Sequence, residues 1–321
     1  MHKDRFLLID GLNLFTRHFI ANPAMTENGE YAGGVVGFFN ALMRLIEKCK
    51  PEGVIIVWEG GGSVKKRGMY KEYKNNSKPQ SLNRYYESDI PSTYENRNFQ
   101  IKTLISILSN IPVCQTYIEG AEADDAIGYL CKYILKDKNK IIVSSDHDFY
   151  QLIDDKTIIW SPTLKSFVNK EKVIERFGIH PNNFYLAKSI AGDPSDNIPG
   201  VKGVGYKTLA KRFQKITEEA DYILSDLISD SKIAQSNNNL KIYSRIINEE
   251  STIKRNIKLV LLDTNNLSID QIKKLESDVE DFTPKWNNIN IHRILKETTI
   301  KSIDPIRWNY ILKILRGGFK I

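Results

Sequence analysis

Short apolar runs alternate with helix-period segments over the first half of the chain. Phe6, Leu7, Leu8 and Ile9 form one run that ends at Asp10, and Val54–Trp58 forms a second. Runs at Val113–Ile118 and Ile141–Ser144 complete a set of four buried strands, and Thr157–Ser161 is a fifth candidate. Between them, Val35–Cys49 carries Phe38, Phe39, Leu42, Leu45 and Ile46 at helical spacing, and helical patterns recur at about Phe99–Leu108 and Glu122–Leu135. This alternation predicts an α/β fold: a mostly parallel central sheet flanked by helices.

The pattern breaks between Gly60 and Asn98, where a polar stretch rich in Lys, Asn, Ser and Tyr forms a long insertion. Such insertions in compact domains are usually functional or disordered. Ser229–Asn239, ending in three asparagines, reads as a loop or linker. From Leu240 to Ile321 the chain is mixed and mostly helical, with no chemical signature. The expected division is a core over 1–165 with a basic insertion at about 60–98, a hairpin-bearing subdomain over 166–230, and a mainly helical region over 231–321. The last residues, Ile314–Ile321, read as a frayed terminus, with contact to a sliding clamp or a single-strand binding protein as the alternative.

Composition excludes two classes. A chain that is 41% hydrophobic and 26% charged can bury a core, so wholesale disorder is out. Its apolar runs are strand-sized, so a membrane protein is out as well. Four apolar residues before Asp10 make too short a run for a signal peptide, and Cys49, Cys114 and Cys131 form no CxxC pair. Both features point to a cytoplasmic protein with reduced thiols.

The carboxylates carry the chemistry. Asp10 closes the first strand and Glu59 the second. The third runs into Glu122, Asp124 and Asp125, and the fourth into Asp146 and Asp148. Asp193 and Asp196 form a fifth group. In a parallel sheet all strand C-termini lie on one edge, so these groups converge on one rim. Each acid taken singly has a local explanation as a helix cap or turn residue, but their coincidence at one edge does not. Like charges at this spacing repel by roughly 1–4 kcal/mol per pair, which bound cations would offset. Oxygen donors without a Cys/His set suit Mg²⁺, with Mn²⁺ as a substitute, and two such ions form the arrangement used for phosphodiester hydrolysis. The 46 basic residues face 39 acidic ones, nine of them in these groups, so the rest of the chain carries +16. An acidic pit in a basic body suits a metal-dependent nuclease.

Two further segments suit nucleic acid. Ser63–Lys78 holds Lys65, Lys66, Arg67, Lys71, Lys74 and Lys78 against the single acid Glu72. Lys66, Tyr70, Tyr73 and Lys74 share helical spacing, which predicts cations and stacking surfaces on one face. Pro199–Ala210 contains Gly200, Lys202, Gly203, Gly205, Lys207 and Thr208, with Lys211 just beyond. It reads as a glycine hairpin opening a basic helix, where backbone N–H groups can approach phosphate.

Four stretches, FLLIDG (Phe6–Gly11), GAEADDAIG (Gly120–Gly128), VSSDHDFYQL (Val143–Leu152) and AGDPSDNIPGVKGVGYKT (Ala191–Thr208), resemble the flap endonuclease and 5′–3′ exonuclease family in order and spacing over about 5–215. Chain length and Trp160–Pro162 look most like the phage-encoded members of ribonuclease H type. The resemblance implies a helical-arch insertion, a helix–three-turn–helix subdomain and a monomer acting on branched or 5′-ended duplex DNA or RNA–DNA hybrid. It implies that Asp10, Glu59, Glu122 and Asp124 hold one metal ion, that Asp193 and Asp196 hold a second, and that Asp125, Asp146 and Asp148 lie between. Lys74 matches the arch lysine that contacts the scissile phosphate, and Lys66 a basic position on the same arch. The hairpin Gly200–Lys207 resembles one that grips duplex backbone and can bind K⁺ through carbonyl oxygens. The family usually has Asp where Glu59 stands, and Ser81–Asn98 matches no family sequence.

Two rival readings are weaker. A PIN-type ribonuclease would share the acidic rim but lack the glycine hairpin. A catalytically inactive module that only binds branched DNA has no use for nine clustered carboxylates beside DNA. A DxD phosphatase is weaker still, because its first strand would end in DxD and Asp10 is followed by Gly11 and Leu12.

Overall fold

The computed structural model describes residues 5–75, 93–238, 240–263, 266–317 and 319. Its centre is a six-stranded sheet: β1 (Arg5–Asp10), β2 (Gly53–Trp58), β3 (Cys114–Tyr117), β4 (Asn139–Val143), β5 (Thr157–Ser161) and β6 (Ser166–Val168). The spatial order is β3-β2-β1-β4-β5-β6, parallel except for the antiparallel edge strand β6. The connections reverse direction between β1 and β4, so the crevice at their carboxyl ends is the expected ligand position.

Alternation along the strands sorts the core into two faces. Phe6, Leu8, Ile55, Val57 and Ile142 point into one apolar cluster, and Leu7, Ile9, Val54, Ile56, Ile141 and Val143 into the other. Helices α1 (Gly11–Ala21), α2 (Gly33–Cys49) and α4 (Thr93–Leu108) cover the second face. A six-residue helix α3 (Val64–Met69) lies in the insertion, capped by Ser63 Oγ on the Lys66 amide at 3.0 Å. The other face takes α5 (Ala123–Tyr129) with its π-turn extension Leu130–Ile134. It also takes α6 (Lys170–Phe177), α7 (Phe184–Ala191) and α8 (Tyr206–Arg212), so the segment over 166–230 shares its core with the sheet.

The expected strands and helices are found within a few residues of the positions read from sequence. The linker expected over Ser229–Asn239 is a correction: α9 (Leu224–Asn237) is helical as far as Asn237, because Leu227, Ile228 and Ser231 are buried on one face against α10 (Lys241–Asn248). The polar composition there is the solvent side of an amphipathic helix. Then follow α11 (Glu250–Val260) on α7, α12 (Ile269–Glu280) on β3, α13 (Asn288–Glu297) on α4, and α14 (Pro305–Leu312) on α2. The frayed terminus is corrected too. Leu315 is buried, and Phe319 packs edge-on against Phe6 and Phe282 at centroid distances of 5.5 and 4.8 Å. Of the helical arch expected over about 60–98, residues 76–92 lie outside the described residues. Among the described residues, no helix is long and apolar enough to cross a membrane.

Trp308 of α14 is 1% exposed and packs on Phe39 of α2. Trp308→Ala is therefore expected to lower unfolding free energy by about 3–5 kcal/mol, read by urea titration.

Candidate metal centre

Each acidic group reaches the rim through a local device. Asp10 ends β1 and caps α1, its Oδ1 accepting from the Asn13 amide at 3.1 Å and its Oδ2 from Ser144 Oγ at 3.1 Å. Glu59 follows β2 and accepts from the Gly62 amide at 2.9 Å. Gly60 allows that loop to lie on the next one, because a Cβ there would sit 1.7 Å from the Ile118 carbonyl oxygen. This close approach brings Glu59 towards Glu122, which precedes α5, with Asp124 and Asp125 in its first turn. Asp146 follows β4 and accepts from the Asp148 amide at 2.9 Å.

Asp193 and Asp196 sit on a turn closed by a bridge between Asp193 and Ile198. Gly192 has φ +79°, and a Cβ on it would lie 2.4 Å from the Gly200 amide nitrogen, so two glycines abut at the base of this turn. Buried Asn256 of α11 donates to the carbonyls of Ser189 and Pro199 at 2.9 and 2.8 Å and fixes the turn from below.

Three lysines gather these acids. Lys66 Nζ lies 2.8 Å from Glu122, 3.0 Å from Asp125 and 3.8 Å from Asp124. Lys74 Nζ lies 2.7 Å from Glu122 and 3.9 Å from Asp196. Lys188 pairs with Asp148 and, at 2.7 Å, with Asp193. Asp10 and Asp146 adjoin the same groups through Ser144, whose Oγ accepts from the Asp146 amide. The structure thus brings all nine predicted acids to one rim, with Asp125 beside Glu122 and Asp124.

Lys66 is a correction. At 1% exposure it is buried among carboxylates and presents no charge to solvent. Tyr73 is corrected likewise: it is buried, and its hydroxyl donates to Glu122 at 2.8 Å, so its ring is no stacking platform. The shared helical face is not formed, because α3 stops at Met69 and Tyr73 and Lys74 follow in a turn, with Lys74 at φ +52°. Tyr70 has one ring face covered by the Arg255 guanidinium, 4.3 Å away. Lys65, Arg67 and Lys71 are exposed, as are Gly200, Lys202, Gly203, Gly205, Lys207 and Lys211 on the hairpin, where Thr208 is half-buried. Lys78 lies outside the described residues.

The region after 230 is not chemically silent. Asn266 donates to Asp125 Oδ1 at 2.7 Å, and Arg245 donates to the Lys202 carbonyl at 3.0 Å. No sequence signal marks Asn266 or Asn256. Lys188 was findable, as the one charge in the apolar helix FYLAKSIA.

Burial dominates the electrostatics. It pushes the carboxyls of Asp10 and Asp125 up to about 7 and that of Asp196 to about 6, helped by neighbouring acids. Glu122 goes the other way: burial would raise it, but Lys66 and Lys74 hold it down at about 2. Lys188 and Ser195 do the same for Asp193, also to about 2. Glu122, Asp124 and Asp125 each offer an oxygen within 4.8 Å of the others. Asp125 Oδ2 is buried near Lys66 without an aligned hydrogen bond. Crowded oxygen donors, with acids raised by mutual repulsion and burial, fit a hard divalent cation.

The chain is similar to known nucleases and polymerases. A family model described as the 5′-3′ exonuclease, N-terminal resolvase-like domain matches residues 5–178. DNA polymerase I of Bacillus subtilis is 31% identical over 261 residues, covering 78% of this chain and 28% of that protein. A 5′-3′ exonuclease of Buchnera aphidicola is 31% identical over 221 residues, covering 67% of this chain and 72% of that protein. The chain spans 33% or less of the polymerase I relatives it matches. A crystal structure of the flap endonuclease of bacteriophage T5, in a complex with DNA and metal ions, shares the fold. Its TM-score is 0.67 at 22% identity, covering 92% of this chain and 99% of that one.

Two outcomes follow for the protein in EDTA. Asp125, raised to about 7 against about 4 when unfolded, favours the fold while protonated and loses that contribution as pH rises through 7. His18, lowered to about 4 by burial and two arginines, runs in the opposite direction, so a difference between proteins isolates the acid. The advantage of Asp125→Asn over wild type in urea unfolding should grow from about pH 5 to about pH 8, and shrink in Mg²⁺. Lys66→Met removes a buried counter-charge from three acids and should cost about 3 kcal/mol in EDTA, less with Mg²⁺ present.

Proposed function

The chain belongs to the 5′–3′ exonuclease family, and from that membership and its acidic rim we propose a metal-dependent, structure-specific 5′ nuclease. Its substrates are branched or 5′-ended duplex DNA and RNA–DNA hybrid, and its role is removal of primers or flaps in replication. The observation that carries this reading is the meeting of nine carboxylates from five sequence-distant segments at one sheet edge, beside three lysines.

Glu122, Asp124 and Asp125, with Asp10 and Glu59 beside them, would hold one Mg²⁺; Asp146, Asp148, Asp193 and Asp196 would hold the second. Such a pair supplies an acidified water and stabilises charge on the scissile phosphate. The chain's own residues do the rest. Lys74, 39% exposed at the rim, presents a cation to that phosphate from the insertion side. Its amide donates to the Asp196 carbonyl at 3.0 Å, which fixes the lysine against the acidic turn. Cleavage leaves a 5′-phosphate and a 3′-hydroxyl.

Two surfaces suit the polyanion. A cavity of about 690 Å³ is lined by Arg17, Arg44, Lys48 and Lys165 without a carboxylate. It lies one turn of α1 beyond Asn13, so a strand leaving the rim meets positive charge at once. The exposed Lys202, Lys207 and Lys211 of the hairpin suit duplex backbone, and its carbonyls suit K⁺.

Asp146→Asn and Asp193→Asn should each abolish Mg²⁺-dependent cleavage of end-labelled flap and nicked duplexes while leaving DNA affinity within about threefold. Retained cleavage by both variants would remove the metal-centre reading. Lys74→Ala should lower the single-turnover rate about 100-fold and affinity much less; a pure affinity loss would make Lys74 a surface anchor.

A further inference from the structure

Both oxygens of Glu122 are engaged. Its Oε1 accepts from Lys74 Nζ at 2.7 Å, and its Oε2 accepts from Lys66 Nζ and from the Tyr73 hydroxyl, each at 2.8 Å. Asp125 Oδ1 accepts from Asn266, and Asp124 Oδ1 from the Asp125 amide, each at 2.7 Å. These are the three acids whose oxygens crowd within 4.8 Å of one another, and the positive charge among them is an ammonium group of the chain. Lys66 Nζ reaches all three, at 2.8, 3.8 and 3.0 Å from Glu122, Asp124 and Asp125, whereas Lys74 pairs with one of them, Glu122.

The fit between Lys66 and this cluster is incomplete. Three carboxylates face one unit charge from it. Its Nζ makes one aligned hydrogen bond, to Glu122, while Asp125 Oδ2 stays buried with no hydrogen-bond partner among the described residues. A buried carboxylate oxygen left in this way bears the full cost of its lost hydration. An ammonium offers three protons in fixed directions, whereas a divalent ion brings two charges and takes oxygens from several sides at once. The cluster therefore gains more from a divalent ion than from the lysine now within it. Lysine and ion cannot share the place, because like charges at this spacing repel strongly where water is excluded. The backbone of Lys66 is fixed: its amide donates to Ser63 Oγ at 3.0 Å, and its carbonyl accepts from the Tyr70 amide at 3.0 Å. Its flexible four-carbon stem is the part able to move.

We propose that Lys66 is an exchangeable resident cation: it holds Glu122, Asp124 and Asp125 together in the metal-free protein and leaves them when the first divalent ion binds. The exchange sets a threshold, because an entering ion must displace a paired lysine as well as its own water. The freed ammonium swings out towards the rim and adds positive charge where a phosphate arrives. Lys66 is thereby a positioning residue that acts through the acids it releases. This inference rests on the metal-centre reading above and deepens it.

The test uses the full chain without nucleic acid. Its lysines are acetylated with N-hydroxysuccinimidyl acetate in EDTA and in saturating Mg²⁺, and modification is mapped by peptide mass spectrometry. In EDTA the buried Lys66 should be protected relative to the exposed Lys71. Mg²⁺ should raise modification of Lys66 about tenfold and leave Lys71 unchanged. A purely structural lysine would move the other way, since an ion that stabilises the fold lowers access to buried groups. Mn²⁺ affinity, read from the electron paramagnetic resonance of the free ion, should rise about tenfold in Lys66→Met and stay within about twofold in Lys71→Met, which removes the same charge from the surface. The labelling needs no variant, so it decides between the two roles even if Lys66→Met fails to fold. Protection of Lys66 that persists or deepens in Mg²⁺, or unchanged Mn²⁺ affinity in a folded Lys66→Met, would overturn the exchange. Mn²⁺ uptake by the wild type and its Mg²⁺-dependent cleavage of a flapped duplex report separately on the nuclease reading. With both present and Lys66 still protected, the exchange alone falls; with neither present, both readings fall.

Discussion

Uncompensated negative charge is the constraint that organises this protein. Nine carboxylates at one sheet edge would repel one another, and burial would make each costlier. The chain answers with ammonium groups brought from two directions: Lys66 and Lys74 from the insertion after β2, and Lys188 from α7. These ion pairs do more than relieve repulsion. They tie the base of the insertion to the start of α5, and α7 to the turn after β4, in addition to the apolar core that the sheet and α7 share.

Local and functional roles coincide in the same side chains. Asp10, Asp146 and Asp193 each cap the turn or helix that follows, while also facing the rim. A cap fixes the carboxylate through one oxygen; the second oxygen of Asp10 accepts from Ser144 and that of Asp193 pairs with Lys188, so both acids are held rigidly at the rim. The explanation of each acid as a cap and its explanation as part of a metal centre are therefore compatible.

Much of this was legible in the sequence because strand periodicity and strand-end acids are local signals. The parallel sheet, its covering helices and the convergence of Asp10, Glu59, Glu122, Asp146 and their neighbours all follow from them. What escaped depends on packing between distant segments. Leu227 and Ile228 make α9 a helix by burying one face of a stretch whose other face looks like a linker. Lys66 and Tyr73 have the composition of a nucleic-acid surface, yet they turn inward because Glu122 offers them stronger partners than solvent does. Asn256 and Asn266 act from a region without any motif, since a single buried amide leaves no pattern in one sequence.

The stem of the insertion is stitched to the acidic turn by two hydrogen bonds, Lys74 amide to Asp196 carbonyl and Asn197 side chain to Glu72 carbonyl. Stem and turn are consequently joined backbone to backbone and side chain to backbone, so a displacement of the stem passes to Asp196 without any relay through the sheet.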